Sequence, residues 1–483
     1  KRVIIFNGEI YNYRELKEEL RGSYPFRTES DTEVILASYE KWGEACLGKF
    51  NGIFALAIWD GQKNELFLAR DHMGVKPLYY FWDGARFIFS SEIKAILCHD
   101  IPQRVDRQAA NLYFHVLYVP APHTMFEGIR KVLPAHFVRL KGGALEEKEY
   151  WRARDFQNTN DSRQEVKNRI RELFDDSVKH QLISDRPVGV FLSGGMDSTA
   201  VLGSAVREAG GRMRTYSVGF DVAQSREKFN ADMMLARKTA EHYHTEHREL
   251  VISARDIRDN LEAIAWHMDE PNFNPTAGAI FLLSREAKKD VAVVLGGDGG
   301  DELLGGYPRY AASRLVSWAC MQPAPLRALF AAGLRKAGKE ALASKLQCGS
   351  AAARALAFLS QKQGTLASVF SRDFLDAGMV ERHFEEMFFA KNQEAGNDFE
   401  KRFMDMDRQS WLTDESLLRT DKMTMAWGLE ARVPILDHRL VELANRIPTT
   451  WKLGRIPSVS REPQGKKIWK EAVADYLPPH VQK

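Results

Sequence analysis

The chain has 483 residues, more than a single hydrophobic core usually supports, so two domains are the starting expectation. Its 68 basic and 65 acidic residues give a net charge of +3, which is too balanced to indicate a nucleic-acid or membrane surface. No run approaches the roughly 18 apolar residues of a membrane span, so the cytoplasm is the default location.

The first 150 residues are rich in short apolar or alternating runs, which predict strands because Gly, Asp and Asn turns separate them. The predicted strands are 3–6, 53–59, 65–69, 78–82 and 87–90. Only residues 12–21 and 31–42 predict helices in this part.

From about residue 163 the hydrophobic period changes to that of helices that alternate with strands. Helices are predicted at 163–181, 198–209, 228–243 and 254–268, and strands at 187–192, 214–220 and 291–296. This alternation favours a parallel sheet flanked by helices, and residues 310–420 are predicted to be mostly helical. Buried or incidental thiols are expected, because the four cysteines are far apart: Cys46, Cys98, Cys320 and Cys348.

A turn rich in serine and glycine follows the apolar run at 187–192. Residues 193–198 read Ser-Gly-Gly-Met-Asp-Ser, so the backbone can approach an anion closely before a helix N-terminus that carries partial positive charge. Asp197 adds a carboxylate suited to Mg²⁺. The turn lacks the lysine of the kinase-type phosphate loop and the spacing of the dinucleotide fingerprint. It resembles the motif of ATP pyrophosphatases, which adenylate a carboxylate or carbonyl and release pyrophosphate.

A second loop, Gly-Gly-Asp-Gly-Gly-Asp-Glu at 296–302, follows the buried run 291–295. Ligands of open α/β sheets collect at the carboxyl ends of strands, so this loop and the 193–198 turn should face one crevice. Its acidic residues would repel a triphosphate unless a divalent cation intervened, which predicts that Asp301 shares Mg²⁺ with Asp197. The alternative is a solvated acidic turn.

Five further strings stand in order along the chain: NGEIYN at 7–12, SDTE at 30–33, ARDHMGVKPLYY at 69–80, SEIK at 91–94 and LEARVP at 429–434. With the two loops, their order and spacing resemble the glutamine-hydrolysing asparagine synthetases of the bacterial B type, over nearly the whole chain. The resemblance implies that ATP activates aspartate as a β-aspartyl adenylate, which ammonia from glutamine then attacks.

The resemblance also implies a domain organisation. The first domain, residues 1–151, would be an α+β glutaminase of the N-terminal-nucleophile type with sandwiched antiparallel sheets, incomplete at its start. A linker is predicted at 152–163. Residues 164–483 would form an α/β ATP-pyrophosphatase domain with a parallel sheet and a helical C-terminal part, incomplete at its end.

In the first domain, the resemblance implies that Asn7 offers its side-chain amide and Gly8 its backbone N–H to the oxyanion of glutamine hydrolysis. Glu9 and Asp31 would hold the glutamine α-amino group. The chemistry agrees, because two aimed donors stabilise charge that develops in the transition state, and carboxylates suit an ammonium. From the residues alone, Asn-Gly is more often a hairpin turn and Asp31 more often the cap of the following helix.

In the second domain, the resemblance implies Mg²⁺ on Asp197 and Asp301. Asp298 stands where many members have Glu, at a position tied to forming the acyl-adenylate. Asp421 and Arg432 are implied near the intermediate, with a structural ion pair as the equal alternative. The implied ATP contacts are Leu192, Ser193, Gly194, Gly195, Met196, Asp197, Ser198, Val218, Gly296 and Gly297. Three residues resemble substrate-channel positions, or form a helix-end cluster: His267, Asp269 and Glu270.

Both ends depart from the family pattern. The family's nucleophile is a cysteine that follows the initiator Met, whereas this chain opens with Lys1 six residues before Asn7. We expect the chain as it stands to be inert toward glutamine, as a cropped form of a longer protein rather than a natural ammonia-only enzyme. The family's pyrophosphate-stabilising lysine is expected beyond Lys483, and Lys466 and Lys467 are predicted to lie on an ordinary solvated helix face.

Three readings remain open. The first is asparagine synthesis from glutamine, aspartate and ATP with Mg²⁺. The second is the same chemistry on another carboxylate, as in relatives of cell-surface sugar or peptide natural-product pathways. The third is a nonenzymatic scaffold, which the intact Asp197 and Asp301 weaken. No nucleic-acid or membrane partner is expected, and a homodimer is compatible with the resemblance.

Overall fold

The computed structural model describes residues 1–153, 155–222, 230–346, 349–361, 363–371, 374–390, 398–453 and 465–482. Within these ranges no helix is both long and apolar enough to cross a membrane. Cys46, Cys98 and Cys320 are free thiols, of which Cys46 is buried and Cys98 exposed, and Cys348 lies outside the described residues.

The first half contains two antiparallel sheets. The larger has the order β1-β2-β3-β7-β8 and the smaller the order β5-β4-β6. Aliphatic and aromatic side chains pack between the two sheets, among them Ala57 and Leu68 of the larger sheet, Tyr80 of the smaller sheet and Leu78 just before β4. The strands are β1 Arg2–Ile10, β2 Gly52–Asp60, β3 Glu65–Arg70, β4 Tyr79–Trp82, β5 Phe87–Ser90, β6 Ile129–Lys131, β7 His136–Lys141 and β8 Ala144–Glu149.

The five strands predicted for this half are confirmed, and β6, β7 and β8 were missed. The helices predicted at 12–21 and 31–42 are also confirmed. The second begins after Ser30, whose side chain accepts a hydrogen bond from the Thr32 amide at 3.2 Å and so caps the helix. The helices of this half are α1 Tyr13–Leu20, α2 Asp31–Trp42, α3 Ile93–Leu97 and α4 Arg107–Val116, with a 3-10 turn at Gly43–Lys49.

The second half contains one parallel sheet of order β11-β10-β9-β12-β13. From β9 the chain adds β10 and β11 on one side of the sheet, and then β12 and β13 on the other side. The switch point between β9 and β12 is where open α/β sheets bind ligands. The strands predicted at 187–192, 214–220 and 291–296 are confirmed. The strands are β9 Val188–Phe191, β10 Arg214–Phe220, β11 Glu246–Ile252, β12 Val293–Leu295 and β13 Glu430–Arg432.

Helices surround this sheet and continue into a helical region. They are α5 Arg163–Gln181, α6 Met196–Ala209, α7 Ala231–His242, α8 Ala254–Asp259, α9 Leu261–Met268, α10 Thr276–Ala287, α11 Gly300–Leu304, α12 Pro308–Cys320, α13 Ala324–Lys336, α14 Glu340–Lys345, α15 Ala351–Leu359, α16 Gln363–Ala367, α17 Ala377–Phe384, α18 Phe399–Asp407, α19 Leu418–Met425, α20 His438–Arg446, α21 Thr449–Leu453, α22 Lys467–Ala472 and α23 Pro479–Gln482. Wide π-helical turns span Glu385–Phe389 and Arg408–Leu417, and 3-10 turns span Pro434–Leu436 and Ala474–Tyr476.

The single helix predicted at 254–268 is instead two helices, α8 and α9. They break at Asn260, whose φ of −112° and ψ of 7° lie outside the helical region. Its side-chain amide donates to the Asp256 carbonyl at 2.8 Å, which satisfies a carbonyl at the end of α8. Residues 228 and 229 of the helix predicted at 228–243 lie outside the described part.

Candidate functional site

A cavity of about 540 Å³ opens at the carboxyl ends of β9, β10 and β12. Both predicted loops line it, as expected for a parallel sheet. Apolar walls, the N-terminus of α6 and several carboxylates face the same space. The cavity therefore suits a ligand with an apolar ring and an anionic tail when a cation lies between that tail and the carboxylates. The lining includes Leu192, Ser193, Gly195, Met196, Asp197, Ser198, Val218, Gly296, Gly297, Asp298 and Asp301.

The turn after β9 is held open by its own side chains. The Ser193 amide donates to the Ser198 hydroxyl at 3.2 Å, and that hydroxyl donates to the Gly195 carbonyl at 3.2 Å. Gly194 has a φ of +74°, and a Cβ there would lie 2.5 Å from the Asp232 carbonyl oxygen. The turn therefore requires glycine, and it leads directly into the N-terminus of α6 at the cavity.

The two loops touch each other. A Cβ on Gly297 would lie 2.7 Å from the Ser198 nitrogen, and one on Gly300 would lie 2.5 Å from an Asp197 carboxylate oxygen. Only residues without a side chain allow this approach, so the glycines of the second loop bring its acidic residues against the first. The loops predicted to face one crevice do so.

The carboxylates of Asp197 and Asp301 converge on one ammonium, that of Lys466. Lys466 Nζ forms an ion pair with Asp197 and lies 2.8 Å from Asp301 Oδ1, and the Trp469 indole donates to Asp197 at 2.9 Å. Burial raises the pKa of Asp197, and Lys466 opposes that shift. Two carboxylates within reach of one cation form an electrostatic site beside the glycine-rich turn at 193–198.

The prediction that Lys466 lies on a solvated helix face is wrong. Lys466 is only 8% exposed and lines the cavity. It stands immediately before α22 with a φ of +55°. Lys467, the first residue of α22, is exposed as predicted. Because the left-handed backbone of Lys466 takes it off the helix, the apolar spacing of the following residues gives no information about where its side chain points.

Apolar side chains from two strands form one wall. Leu192 lies just after β9, where its amide donates to the Tyr216 carbonyl at 2.9 Å, and Val218 lies in β10 beside it. Asp298 lines the cavity from the second loop and accepts a hydrogen bond from the Ser416 hydroxyl at 3.3 Å. Burial raises the pKa of Asp298 despite the Arg419 guanidinium nearby.

Asp421 and Arg432 lie outside this lining, in ion pairs between the two halves. Asp421 accepts a hydrogen bond from Lys76 at 2.8 Å, and both side chains are buried. Arg432 pairs with Glu430 at 2.6 Å and with Glu9 of the first half at 3.4 Å. The structural ion pair, which the sequence left as the alternative, describes the contacts of both residues.

Asn7 and Gly8 are in the middle of β1, not in a hairpin turn. The Asn7 side-chain amide donates to the Ser91 hydroxyl at 3.3 Å. Gly8 has a φ of +141°, and a Cβ there would lie 2.0 Å from the Ile53 carbonyl oxygen. Glycine is thus required for β1 to pair with β2 at this position.

Glu9, near the end of β1, and Asp31, the first residue of α2, lie at the same end of the first sheet. The Asp31 carboxylate accepts from the Ile10 amide at 3.1 Å, whereas the cap of α2 is Ser30. Burial raises the pKa of Glu9 to about 7, against the opposing charge of Arg432, and Asp31 adds to the increase. Two carboxylates this close disfavour each other's charge and would be relieved by an ammonium.

The three channel candidates have different surroundings. Asp269 pairs with Lys94 of the first half at 2.9 Å, and Glu270 lies 3.3 Å from Lys131 of the first half. His267 lies in the last turn of α9, and burial lowers its pKa. Asp269 and Glu270 therefore follow the helix end and contact the first half, which sequence spacing could not reveal.

Among the residues that the structure describes, no three His, Cys, Asp or Glu side chains come together as metal ligands. Mg²⁺ at nucleotide sites is usually held by one or two carboxylates and by the substrate phosphates. The convergence of Asp197 and Asp301 on one cation meets that requirement.

Comparison with known proteins identifies both halves. Residues 1–151 match the glutamine amidotransferase domain, and residues 169–483 match the asparagine synthase family. The chain is 34% identical to asparagine synthetase [glutamine-hydrolyzing] 3 of Bacillus subtilis, over 99% of this chain and 74% of that protein. It is also 34% identical to a putative asparagine synthetase [glutamine-hydrolyzing] of Mycobacterium tuberculosis, over 99% of this chain and 73% of that protein. Amidase chyE of Penicillium rubens is more distant, with 26% identity over 98% of this chain. The chain therefore belongs to the family of glutamine-hydrolysing asparagine synthetases, which are ATP-using carbon–nitrogen ligases.

Proposed function

We propose that the protein converts aspartate to asparagine through a β-aspartyl-AMP intermediate, with ammonia from glutamine hydrolysis in the first half. The observation that carries the synthetase step is the cavity in which two glycine-rich loops and two converging carboxylates meet. Family membership supports the nitrogen source. No observation favours a different carboxylate.

The nucleotide would lie across the switch point of the parallel sheet. Leu192 and Val218 would offer apolar surface for adenine, and the amides at the start of α6, which begins at the cavity, would bind the phosphates. Ser193 and Ser198 add hydroxyl donors beside those amides. These groups would hold the phosphates, and in the proposed adenylation the attacking nucleophile is the substrate's own carboxylate.

Asp197 and Asp301 are the residues that would hold Mg²⁺, and the fit rests on their convergence at one point. The bound ion would neutralise phosphate charge as pyrophosphate leaves. Lys466 would then be free to turn from the carboxylates to the phosphates, because it lines the same cavity as the two glycine-rich loops. Asp298 would position the aspartate against the α-phosphate from the other side.

In the first half, Asn7 and Gly8 would supply two hydrogen-bond donors to the oxyanion of glutamine hydrolysis. Glu9 and Asp31 would bind the α-amino group of glutamine, since their mutual repulsion is relieved by that positive charge. Arg432 forms an ion pair with Glu9 in the structure. When glutamine binds, the Glu9 carboxylate would contact both this guanidinium and the α-amino group.

The test is release of pyrophosphate by the full-length protein with ATP, Mg²⁺ and aspartate. We expect Asp197→Ala and Asp301→Ala each to reduce pyrophosphate release at least a hundredfold, because each removes a carboxylate from the proposed cation site. The midpoint of thermal unfolding should change little in Asp301→Ala, because that side chain is 37% exposed. It should fall in Asp197→Ala, which leaves the buried Trp469 indole and the Lys466 ammonium without that partner, but the protein should remain folded at the assay temperature.

Asp475→Ala is the matched control, because the Asp475 side chain is 89% exposed and lies outside the cavity lining. It should release pyrophosphate at the wild-type rate. Normal turnover in either cavity variant would refute the cation assignment. Release that depended on another carboxylate and not on aspartate would replace the proposed substrate.

A further inference from the structure

One helix of the second half connects the two candidate sites. Thr420 of α19 lines the nucleotide cavity, and Ser416, just before α19, donates to Asp298 there. Two residues after Thr420, Lys422 points the other way and is buried against the first half. The same rigid helix therefore contacts the nucleotide cavity with one side chain and the glutaminase half with another.

Lys422 reaches the segment that fixes Asn7. Its Nζ donates to the Ser91 carbonyl at 3.4 Å and to the Asp269 carboxylate at 2.5 Å, and lies 5.4 Å from the centre of the Tyr79 ring. The hydroxyl of Ser91 accepts the hydrogen bond from the Asn7 side-chain amide. Only one residue, Ser91, thus separates Lys422 from the proposed oxyanion donor.

Asp269 fixes the same segment from its other end. Its carboxylate accepts from the Ile93 amide at 3.0 Å and from the Lys94 amide at 3.4 Å, so a residue of the second half caps α3 of the first. The Asp269 side chain is 1% exposed. Although burial opposes it, the two lysines Lys422 and Lys94 lower the pKa of this carboxyl, so it remains ionised.

The backbone at Asp269 is strained in a way that this contact explains. Its φ of +62° and ψ of −32° are rarely adopted by residues other than glycine. Such outliers persist where surrounding contacts hold them, and they concentrate at functional sites. Here the strained residue directs its carboxylate at Lys422 and at the start of α3 together.

We propose that Lys422 is a positioning residue for glutamine hydrolysis, which holds Ser91 so that the Asn7 amide is aimed at the oxyanion. This inference rests on the proposed function, because it assumes the donor role of Asn7. Through α19, movement at the nucleotide cavity would reach Ser91, so that glutamine hydrolysis responds to the state of the synthetase site.

The kinetic consequence follows from where the donor acts. An oxyanion donor interacts with charge that exists in the transition state and not in bound glutamine. Loosening it therefore lowers kcat while the KM for glutamine stays nearly constant. A defect in packing alone would instead reduce the amount of folded protein or change both constants.

The experiment measures glutamate release from glutamine by the full-length protein. We expect Lys422→Met to lower kcat roughly tenfold or more with less than a twofold change in KM, because small displacements of a catalytic donor are costly. Lys422→Arg, which retains the charge and the donors, should restore most of kcat. Ser91→Ala, which removes only the half-buried hydroxyl that contacts Asn7, should reproduce the loss of kcat without any change at Lys422.

Lys131→Met is the matched control. Lys131 is equally a buried lysine between the halves, but its ammonium lies 3.3 Å from Glu270 and 3.6 Å from Asp414 and donates to the Val119 carbonyl rather than to Ser91. It should lower stability and leave kcat for glutamine near the wild-type value. Normal kcat in Lys422→Met would overturn the inference, whatever the result for Ser91→Ala.

Asn7→Ala separates failure of this inference from failure of the proposed function. If Asn7 is the donor, Asn7→Ala should lower kcat about a hundredfold or more, and Lys422→Met added to it should cause little further loss. A normal kcat in Asn7→Ala would refute the donor assignment itself. A low kcat in Asn7→Ala with full additivity of Lys422→Met would refute only the positioning role.

Discussion

Two buried lysines of the second half have opposite electrostatic surroundings. The ammonium of Lys466 lies between the carboxylates of Asp197 and Asp301, and its pKa is raised because those charges outweigh the cost of burial. Burial and the nearby Lys401 lower the pKa of Lys452 to about 7. The same side-chain type is thus held charged in the cavity, whereas in the core it titrates near neutral pH.

The low pKa of Lys452 predicts a pH dependence of stability. In the unfolded chain its pKa is about 10.5, so between pH 10.5 and pH 7 the unfolded state binds a proton that the folded state does not. The contribution of Lys452 to stability is therefore present above pH 10.5 and is lost as pH falls toward 7. Relative to Lys452→Met, the wild-type protein should gain roughly 2 kcal/mol in unfolding free energy from pH 7 to pH 9.

Urea unfolding of both proteins at pH 7, 8 and 9 measures this difference. Lys467→Met provides the control, because Lys467 is exposed and the difference between that variant and the wild type should not vary with pH. A constant difference between wild type and Lys452→Met across this range would show that Lys452 is charged in the folded protein.

The sequence predicted correctly those cavity residues that lie in loops following strands of the parallel sheet. Asp197, Asp298 and Asp301 each come directly after a buried strand of a parallel sheet, and the ends of such strands meet at one edge. Lys466 comes from a distant segment whose approach depends on tertiary packing. Hydrophobic periodicity could not reveal its position, because Lys466 has left-handed backbone angles and its side chain therefore does not follow the direction set by the helix after it.

At the scale of elements, the helical run from 399 to 425 departs most from what a sequence pattern describes. The ten residues Arg408–Leu417 form wide π turns between α18 and α19. In that stretch Asp414 accepts from the Ala121 amide at 2.7 Å, and Ser416 donates to Asp298. Hydrophobic period predicts a helix here but not its local widening, which decides which side chains face the cavity.

Strand pairing in the first sheet depends on one glycine. Gly8 Cα opposes Phe54 across β1 and β2, with a φ of +141° and no space for a Cβ beside the Ile53 carbonyl. We expect Gly8→Ala to cost about 3 kcal/mol or more, because the strands must separate and the backbone must leave its conformation. Glutamate release from glutamine should be lost, since Asn7 lies one residue earlier in the same strand.

Gly84→Ala isolates the effect of the close contact. Gly84 also has a positive φ, +91°, but a Cβ there would meet nothing within 4 Å. It should cost about 1 to 2 kcal/mol, the strain of the backbone conformation alone. Equal losses of unfolding free energy in the two variants would contradict the steric argument for Gly8.

The whole molecule has a hydrophobic core that both halves share. Tyr11, Ile53, Met73 and Val75 of the first half belong to the same buried cluster as side chains of α5, α20 and the parallel sheet. The two domains expected from chain length are thus joined by packing, which no pattern along the sequence reports. Buried ion pairs such as Lys76 with Asp421 cross the same boundary.

This shared core predicts that the halves unfold together. Met73 is 4% exposed, and its carbonyl accepts from the Thr413 hydroxyl of the second half at 3.1 Å. Met73→Ala should cost about 2 to 5 kcal/mol of unfolding free energy, because it leaves a cavity where both halves pack. Calorimetry should give one transition for the wild type and one transition at lower temperature for the variant.

Met321→Ala is the control for loss of a methionine side chain, because Met321 is 75% exposed and its removal leaves no cavity. Its transition should match that of the wild type. If the halves folded independently, the wild type would unfold in two steps and Met73→Ala would shift only the step of the first half. Movement of a single transition, with glutamate release and pyrophosphate release lost at the same temperature, is the result that a shared core requires.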